Sequence, residues 1–124
     1  MKLATWNVNS LKVRLPHVLD WIDEHSPDAL VLQEIKQITE AFPADAFTDA
    51  GYRAIASGQK TYNGVAVIAK HEPEDPITDF PGFDDQQRRI LATTINGIRV
   101  VNLYVPNGSE VGSEKYAYKL EWLA

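Results

Sequence analysis

The feature that most constrains this chain is the block Ala29-Leu30-Val31-Leu32, bounded by Ser26-Pro27-Asp28 before it and Gln33-Glu34 after it. A half-buried strand alternates apolar and polar residues, whereas a short unbroken apolar run marks a strand covered on both faces. Such a strand needs packed material above and below its sheet, which calls for a layered α/β arrangement. The block also delivers a carboxylate, Glu34, to the end of a buried strand. A charge there is costly unless a cation or hydrogen-bond donors meet it.

The flanking segments supply the other layers. Lys2 to Val8 alternates, with Leu3, Thr5 and Asn7 on one side and Ala4, Trp6 and Val8 on the other, as a strand requires. Leu15, Val18, Leu19 and Ile22 recur at helical spacing, which predicts a helix from about Leu15 to His25 with Pro16 in its first turn. Thr39 to Ala50 reads as a short helix around Pro43, closed by Gly51. Tyr52–Ala56 and Gly64–Ala69 read as strands. His71 to Gln87 is proline-rich and acidic without Lys or Arg, the pattern of an exposed loop. Asn96-Gly97 between Ile90–Ile95 and Ile98–Val105 is a strong hairpin signal. Ser113 caps a last helical pattern through Tyr116, Leu120 and Leu123, which Ala124 ends without a stop signal, so the chain reads as cut there.

Composition narrows the function classes. The 124 residues carry a net charge of −5 and no cysteine. The charge argues against nucleic-acid binding through a global field and leaves that role to local basic clusters. The lack of cysteine excludes a disulfide scaffold or thiolate metal site and suits a reducing cytoplasm, the expected compartment. No apolar run approaches a bilayer-crossing length, so no membrane partner is expected.

Glu34 and Asn7, each at a strand end, are hard oxygen donors of the kind that hold Mg²⁺ or Mn²⁺ rather than zinc. On these two residues alone, a strand-end Glu facing water and an Asn closing a turn are the more ordinary reading. His17, His25 and His71 share no metal-ligand spacing and read as surface or packing residues. Arg88 and Arg89 are adjacent on a strand-like segment, so at most one of them points inward.

The conjunction of segments is more specific. Thr5-Trp6-Asn7-Val8-Asn9-Ser10-Leu11-Lys12-Val13-Arg14 and Asp28-Ala29-Leu30-Val31-Leu32-Gln33-Glu34-Ile35-Lys36 resemble the opening signature of the exodeoxyribonuclease III and AP endonuclease branch of the endonuclease/exonuclease/phosphatase superfamily. Gly58-Gln59-Lys60 with Asn63-Gly64-Val65-Ala66, then Gln87-Arg88-Arg89-Ile90, then Asn102-Leu103-Tyr104-Val105-Pro106-Asn107-Gly108 follow in the same order. Five ordered motifs are specific where one would be weak. The resemblance implies that Glu34 binds a catalytic Mg²⁺, with Mn²⁺ as a substitute, that Asn7 lies beside it, and that Tyr104 faces the scissile phosphate. Asn9, Lys12 and Arg14 on the loop after the first strand would contact DNA, together with Gln59, Lys60, Tyr62, Asn63 and Asn107. It further implies cleavage 5′ of abasic sites and at 3′ ends of double-stranded DNA by an enzyme that is monomeric when complete.

The fold implied is a four-layer α/β sandwich, two mixed β-sheets with helices outside, of which residues 1–124 form the N-terminal half of a single domain. The family's Asp-x-Asn segment and Asp-His pair do not occur in this chain. Without them nothing orients the attacking hydroxide, so the isolated chain is expected to be inactive. The first sheet, expected to include Leu30, Val31, Leu32, Val65, Val67 and Val101, should then leave a face wet where a second sheet belongs. Two other readings stay open, a non-catalytic DNA-binding or subunit-like half and a phosphoesterase with a non-DNA substrate.

Overall fold

The structure is a computed structural model that describes residues 2–58, 63–78 and 89–104. The doubly covered strand is there. β2 (Ala29–Gln33) is buried at every position and lies between β1 (Leu3–Asn7), parallel to it, and β4 (Val65–Ala69), antiparallel to it. β3 (Arg53–Ser57) completes the sheet in the order β1-β2-β4-β3. The parallel pair requires a crossover, and α1 (Leu11–His25) provides it. On one face of the sheet, Leu30, Leu32, Ala66 and Ile68 pack with Leu11, Val18 and Ile22 of α1 and with Phe47 of α2 (Ala44–Asp49).

The opposite face is covered by this chain's own second sheet. β5 (Glu74–Ile77), β6 (Ile90–Ile95) and β7 (Ile98–Leu103) form it in that order, all antiparallel. Leu91, Ile95 and Val100 pack onto Ala29, Val31, Val65, Val67 and Ala69. The Asn96-Gly97 turn has positive φ at both residues (48° and 80°), as the hairpin signal requires. Val101 belongs to this second sheet, not to the first, and is 55% exposed on its outer face with Leu103 at 40%. The two-residue period of β7 sends Val100 and Asn102 inward and Val101 and Leu103 outward.

Three element expectations need correction. α1 begins at Leu11, a full turn before Leu15, because buried Leu11 is tied to the chain after β2 by its N–H to the Ile35 carbonyl (3.0 Å). Pro16 therefore lies inside the helix, beyond the first turn. Thr39 to Ala50 is split into a 3-10 turn (Thr39–Ala41) and α2, with Pro43 at the junction and Gly51 beyond it at φ 90°. Part of the acidic loop is a strand. β5 is fully exposed, as expected of that segment, but Thr93 Oγ1 donates to the Glu74 carbonyl (2.7 Å), and Pro76 is tolerated because β5 is an edge. The helix expected after Ser113 lies outside the described residues. Among those described, no helix is long and apolar enough to cross a membrane.

Leu32, fully buried between β1 and β4, is a direct test of this core. Leu32→Ala should lower unfolding stability by about 2–5 kcal/mol, measured by urea denaturation. A pH-dependent tie joins the start of β1 to β2. The Asp28 carboxylate accepts the Lys2 main-chain N–H (2.6 Å), and this bond is the main cause holding its pKa below the ordinary value. A depressed carboxylate stabilises the fold above its unfolded pKa and loses that contribution as pH falls through the folded value. Asp28→Asn should therefore reduce the urea midpoint at neutral pH, and the difference between the two proteins should shrink as pH falls through the folded value of Asp28.

Candidate active site

The carboxyl ends of the parallel strands β1 and β2 lie side by side, with Asn7 in register with Gln33, one residue before Glu34. Beyond these ends the chain turns sharply. Asn9, Ser10, Glu34, Lys36 and Asn63 all adopt positive φ (44°, 88°, 56°, 56° and 55°), and Gly64 follows at 91°. Main-chain bonds hold the turns against one another: Ser10 N–H to the Glu34 carbonyl (2.8 Å), Ile35 N–H to Gly64 (3.2 Å) and Lys36 N–H to Asn63 (2.9 Å). Left-handed backbone is strained for residues with a Cβ, and such strain gathers where a side chain must be aimed.

Glu34 illustrates that aim. The Gln33 side chain points toward the second sheet, donating to Asn102 Oδ1 (2.8 Å) on β7. Strict alternation would send Glu34 to the helix side. The left-handed turn instead brings the Glu34 carboxylate to the Tyr104 hydroxyl, just past the end of β7. Burial of the phenol, then the hydrogen bond and charge of Glu34, push the Tyr104 pKa up, while the Arg89 guanidinium opposes them. The hydroxyl therefore keeps its proton at neutral pH and is a donor.

Arg89 is buried, with its guanidinium 4.6 Å from the centre of the Tyr104 ring and Nη1 donating to the Tyr104 carbonyl (3.2 Å). Tyr104 N–H returns a bond to the Arg89 carbonyl (2.8 Å). Arg89 is thus an inward arginine, while Arg88 lies outside the described residues. Asn7 Oδ1 accepts the Asn9 N–H (3.1 Å), and Asn9 Oδ1 accepts Lys36 Nζ (2.6 Å). Lys12 and Arg14 sit in the first turn of α1, not on a loop, for the reason that moves the helix start to Leu11. The structure thus gathers Asn7, Asn9, Glu34, Asn63 and Tyr104 around the strand ends. Gln59, Lys60, Tyr62 and Asn107 lie outside the described residues. His17, His25 and His71 are exposed, His25 resting 4.7 Å from the Trp21 ring.

Sequence reasoning gave Lys36 and Asn102 no site role beyond their place in the motifs, and it left open which of Arg88 and Arg89 points inward. A signal existed for Asn102, since the period of β7 places it on the inward face with Val100. For Arg89 no local pattern distinguishes it from Arg88, because the site it serves is made by a partner strand. The donor set offers one carboxylate and one amide oxygen, and among the described residues no three His, Asp or Glu cluster as metal ligands. Glu34→Ala and Glu34→Gly both remove the carboxylate and differ only in backbone freedom. Glu34→Gly should be the more stable by about 1 kcal/mol by urea denaturation, and equal stability would mean that the turn at φ 56° is unstrained.

Comparison with known proteins gives this geometry a lineage. Residues 4–124 match the model of the Endonuclease/Exonuclease/phosphatase family. The chain is 38% identical over 120 residues to exodeoxyribonuclease III of Haemophilus influenzae, covering 92% of this chain and 45% of that protein. It is 33% identical to the zebrafish (Danio rerio) DNA repair nuclease APEX1, covering 98% and 41%. The 3′-5′ exonuclease NExo of Neisseria meningitidis superposes with a TM-score of 0.96 at 48% identity, covering 98% of this chain and 48% of the other. An AP endonuclease from Archaeoglobus fulgidus gives 0.96 at 43%, covering 99% and 48%. A further NExo structure, described as a 3′ phosphatase bound to product DNA hairpin, gives 0.96 at 48% identity, covering 98% and 48%. The chain spans about half the length of the curated relatives it matches. By its mixed α/β fold, its ordered motifs and these likenesses, the chain belongs to the endonuclease/exonuclease/phosphatase family, in the branch of exodeoxyribonuclease III and AP endonuclease hydrolases.

Proposed function

We propose that this chain carries part of the active site of a divalent-metal-dependent DNA repair nuclease that hydrolyses phosphodiesters 5′ of abasic sites and at 3′ ends of duplex DNA. The observation that supports it is the meeting of Glu34 and Tyr104 from two different sheets, beside Asn7 on the neighbouring strand end. The names of the relatives, exodeoxyribonuclease III and DNA repair nuclease, favour DNA over a lipid or inositol phosphate. Residues 1–124 are read as the N-terminal part of one domain, in keeping with the share of each relative that they match.

Glu34 and Asn7 fit a Mg²⁺ or Mn²⁺ ion, because a hard cation takes oxygen ligands, is commonly bound by one or two carboxylates and keeps several waters. When bound, the ion supplies Lewis-acid stabilisation of charge on the phosphate oxygens. The Tyr104 hydroxyl is placed to donate a hydrogen bond to a phosphoryl oxygen that grows more negative in the transition state. Arg89 holds the ring and main chain of Tyr104 in place. Asn9, Lys12 and Arg14, with Gln59, Lys60, Tyr62, Asn63 and Asn107, contact the backbone of the DNA. Such contacts position a duplex without reading its bases.

Asp-x-Asn and Asp-His do not occur in the chain, so by itself it is proposed to bind metal without cleaving. Two measurements test this reading. Titration with Mn²⁺ followed by electron paramagnetic resonance should show binding that Glu34→Ala weakens about tenfold or more. Equal binding by both would remove Glu34 from the metal site. Incubation with Mg²⁺ and a duplex carrying one abasic site should leave the duplex intact. Metal-dependent incision abolished by Glu34→Ala would overturn the inactivity while retaining the site.

A further inference from the structure

The two sheets meet chiefly through apolar side chains, and one buried polar junction interrupts that contact. Asn102, 1% exposed on β7, donates from Nδ2 to the carbonyls of Leu32 and Ala66 (2.9 Å each), which oppose one another in the β2–β4 ladder. Its Oδ1 accepts Gln33 Nε2 (2.8 Å), and the same Nε2 reaches Thr5 Oγ1 on β1 (2.9 Å). One carboxamide of the second sheet thus engages β2 and β4 directly and approaches β1 through Gln33.

Apolar contact sets the separation of two sheets but has no direction, so it leaves their relative sliding weakly determined. Hydrogen bonds are directional in length and angle. A buried amide is also unfavourable unless its groups are paired, and the three bonds of Asn102 are made in only one relative placement of the sheets. Both ends of the junction adjoin the site. Gln33 immediately precedes Glu34, and Asn102 lies two residues before Tyr104, toward the same side of β7. A slide of one sheet on the other would separate the carboxylate from the phenol before it disturbed much apolar area.

We infer that Gln33 and Asn102 are a positioning pair, a hydrogen-bonded link between the sheets that sets the approach of Tyr104 to Glu34. The importance of that approach for phosphodiester cleavage rests on the function proposed above, whereas the link and its mechanical effect do not. Neither residue touches the reacting groups. The pair acts through the strands that carry them.

The test measures coupling between Glu34 and Tyr104 rather than activity. The chain is labelled with 3-fluorotyrosine, and the Tyr104 line in the ¹⁹F NMR spectrum is assigned with Tyr104→Phe. In the otherwise unaltered chain, Glu34→Gln should displace that line, because the charge it removes faces the phenol. In an Asn102→Leu background, with similar branched shape and no hydrogen bonds, most of that displacement should be lost. Val100→Ala, on the same face of β7, removes apolar packing and should retain it. A folded Asn102→Leu chain with the full displacement overturns the inference, as does an equal loss in Val100→Ala. If Asn102→Leu fails to fold by circular dichroism, Gln33→Met breaks the link from the other end and is read by the same criterion. Added Mn²⁺ separates the two levels. If it fails to broaden the Tyr104 line of the unaltered chain, the metal reading falls while the coupling result stands.

Discussion

Burial of β2 on both faces, with hydrogen-bonded partners on both edges, is the constraint from which the rest of the structure follows. Its side chains alternate between two cores. Leu30 and Leu32 enter the one beneath α1, while Ala29 and Val31 enter the one beneath the second sheet. Because both faces are apolar, a slip of one residue would be poorly resisted by hydrophobicity alone. Polar residues at the ends supply the register. Asp28 is bonded to Lys2 at one end, and Gln33 is bonded to Thr5 and Asn102 at the other. A strand so determined delivers its next residue, Glu34, to a defined place.

The chemistry of the site depends on departures from regular geometry at that place. A continued strand would bury Glu34 against the helices, where its charge would be unfavourable. The left-handed turn exchanges that penalty for local backbone strain and brings the carboxylate to a donor from the other sheet. Tyr104 is prepared by opposing influences. Burial and Glu34 favour its protonated form, and the stacked Arg89 guanidinium favours ionisation less strongly. The outcome is a phenol that donates at neutral pH. Since Glu34 follows β2 and Tyr104 follows β7, their meeting depends on the packing of whole sheets.

Legibility tracked the range of the interactions involved. β2, the alternation of β1 and the Asn96-Gly97 hairpin are governed by local periodicity and turn chemistry, and all were readable. Glu34, Asn7 and Tyr104 were legible as candidates for one site from their motifs, although the left-handed turn that brings Glu34 to Tyr104 was not. The start of α1 was misplaced by a turn because the burial of Leu11 depends on the chain after β2. β5 was concealed because an exposed edge strand has no apolar alternation to display. Val101 looked like a core residue, yet the parity of its strand turned it to solvent.

By itself, the sequence determined the layered α/β class, the order of most elements, the family and the residue types available at the candidate site. These follow from periodicity, turn residues and ordered motifs, which are properties of neighbouring positions. Only the tertiary structure decided that this chain covers its own first sheet, that Arg89 lies inward, and that Gln33 and Asn102 join the sheets beside the site. It alone decided that Glu34 leaves the pleat to face Tyr104. The physical reason is that each of these is a contact between segments far apart in the chain, whose free energy exists only once both sheets are formed and packed.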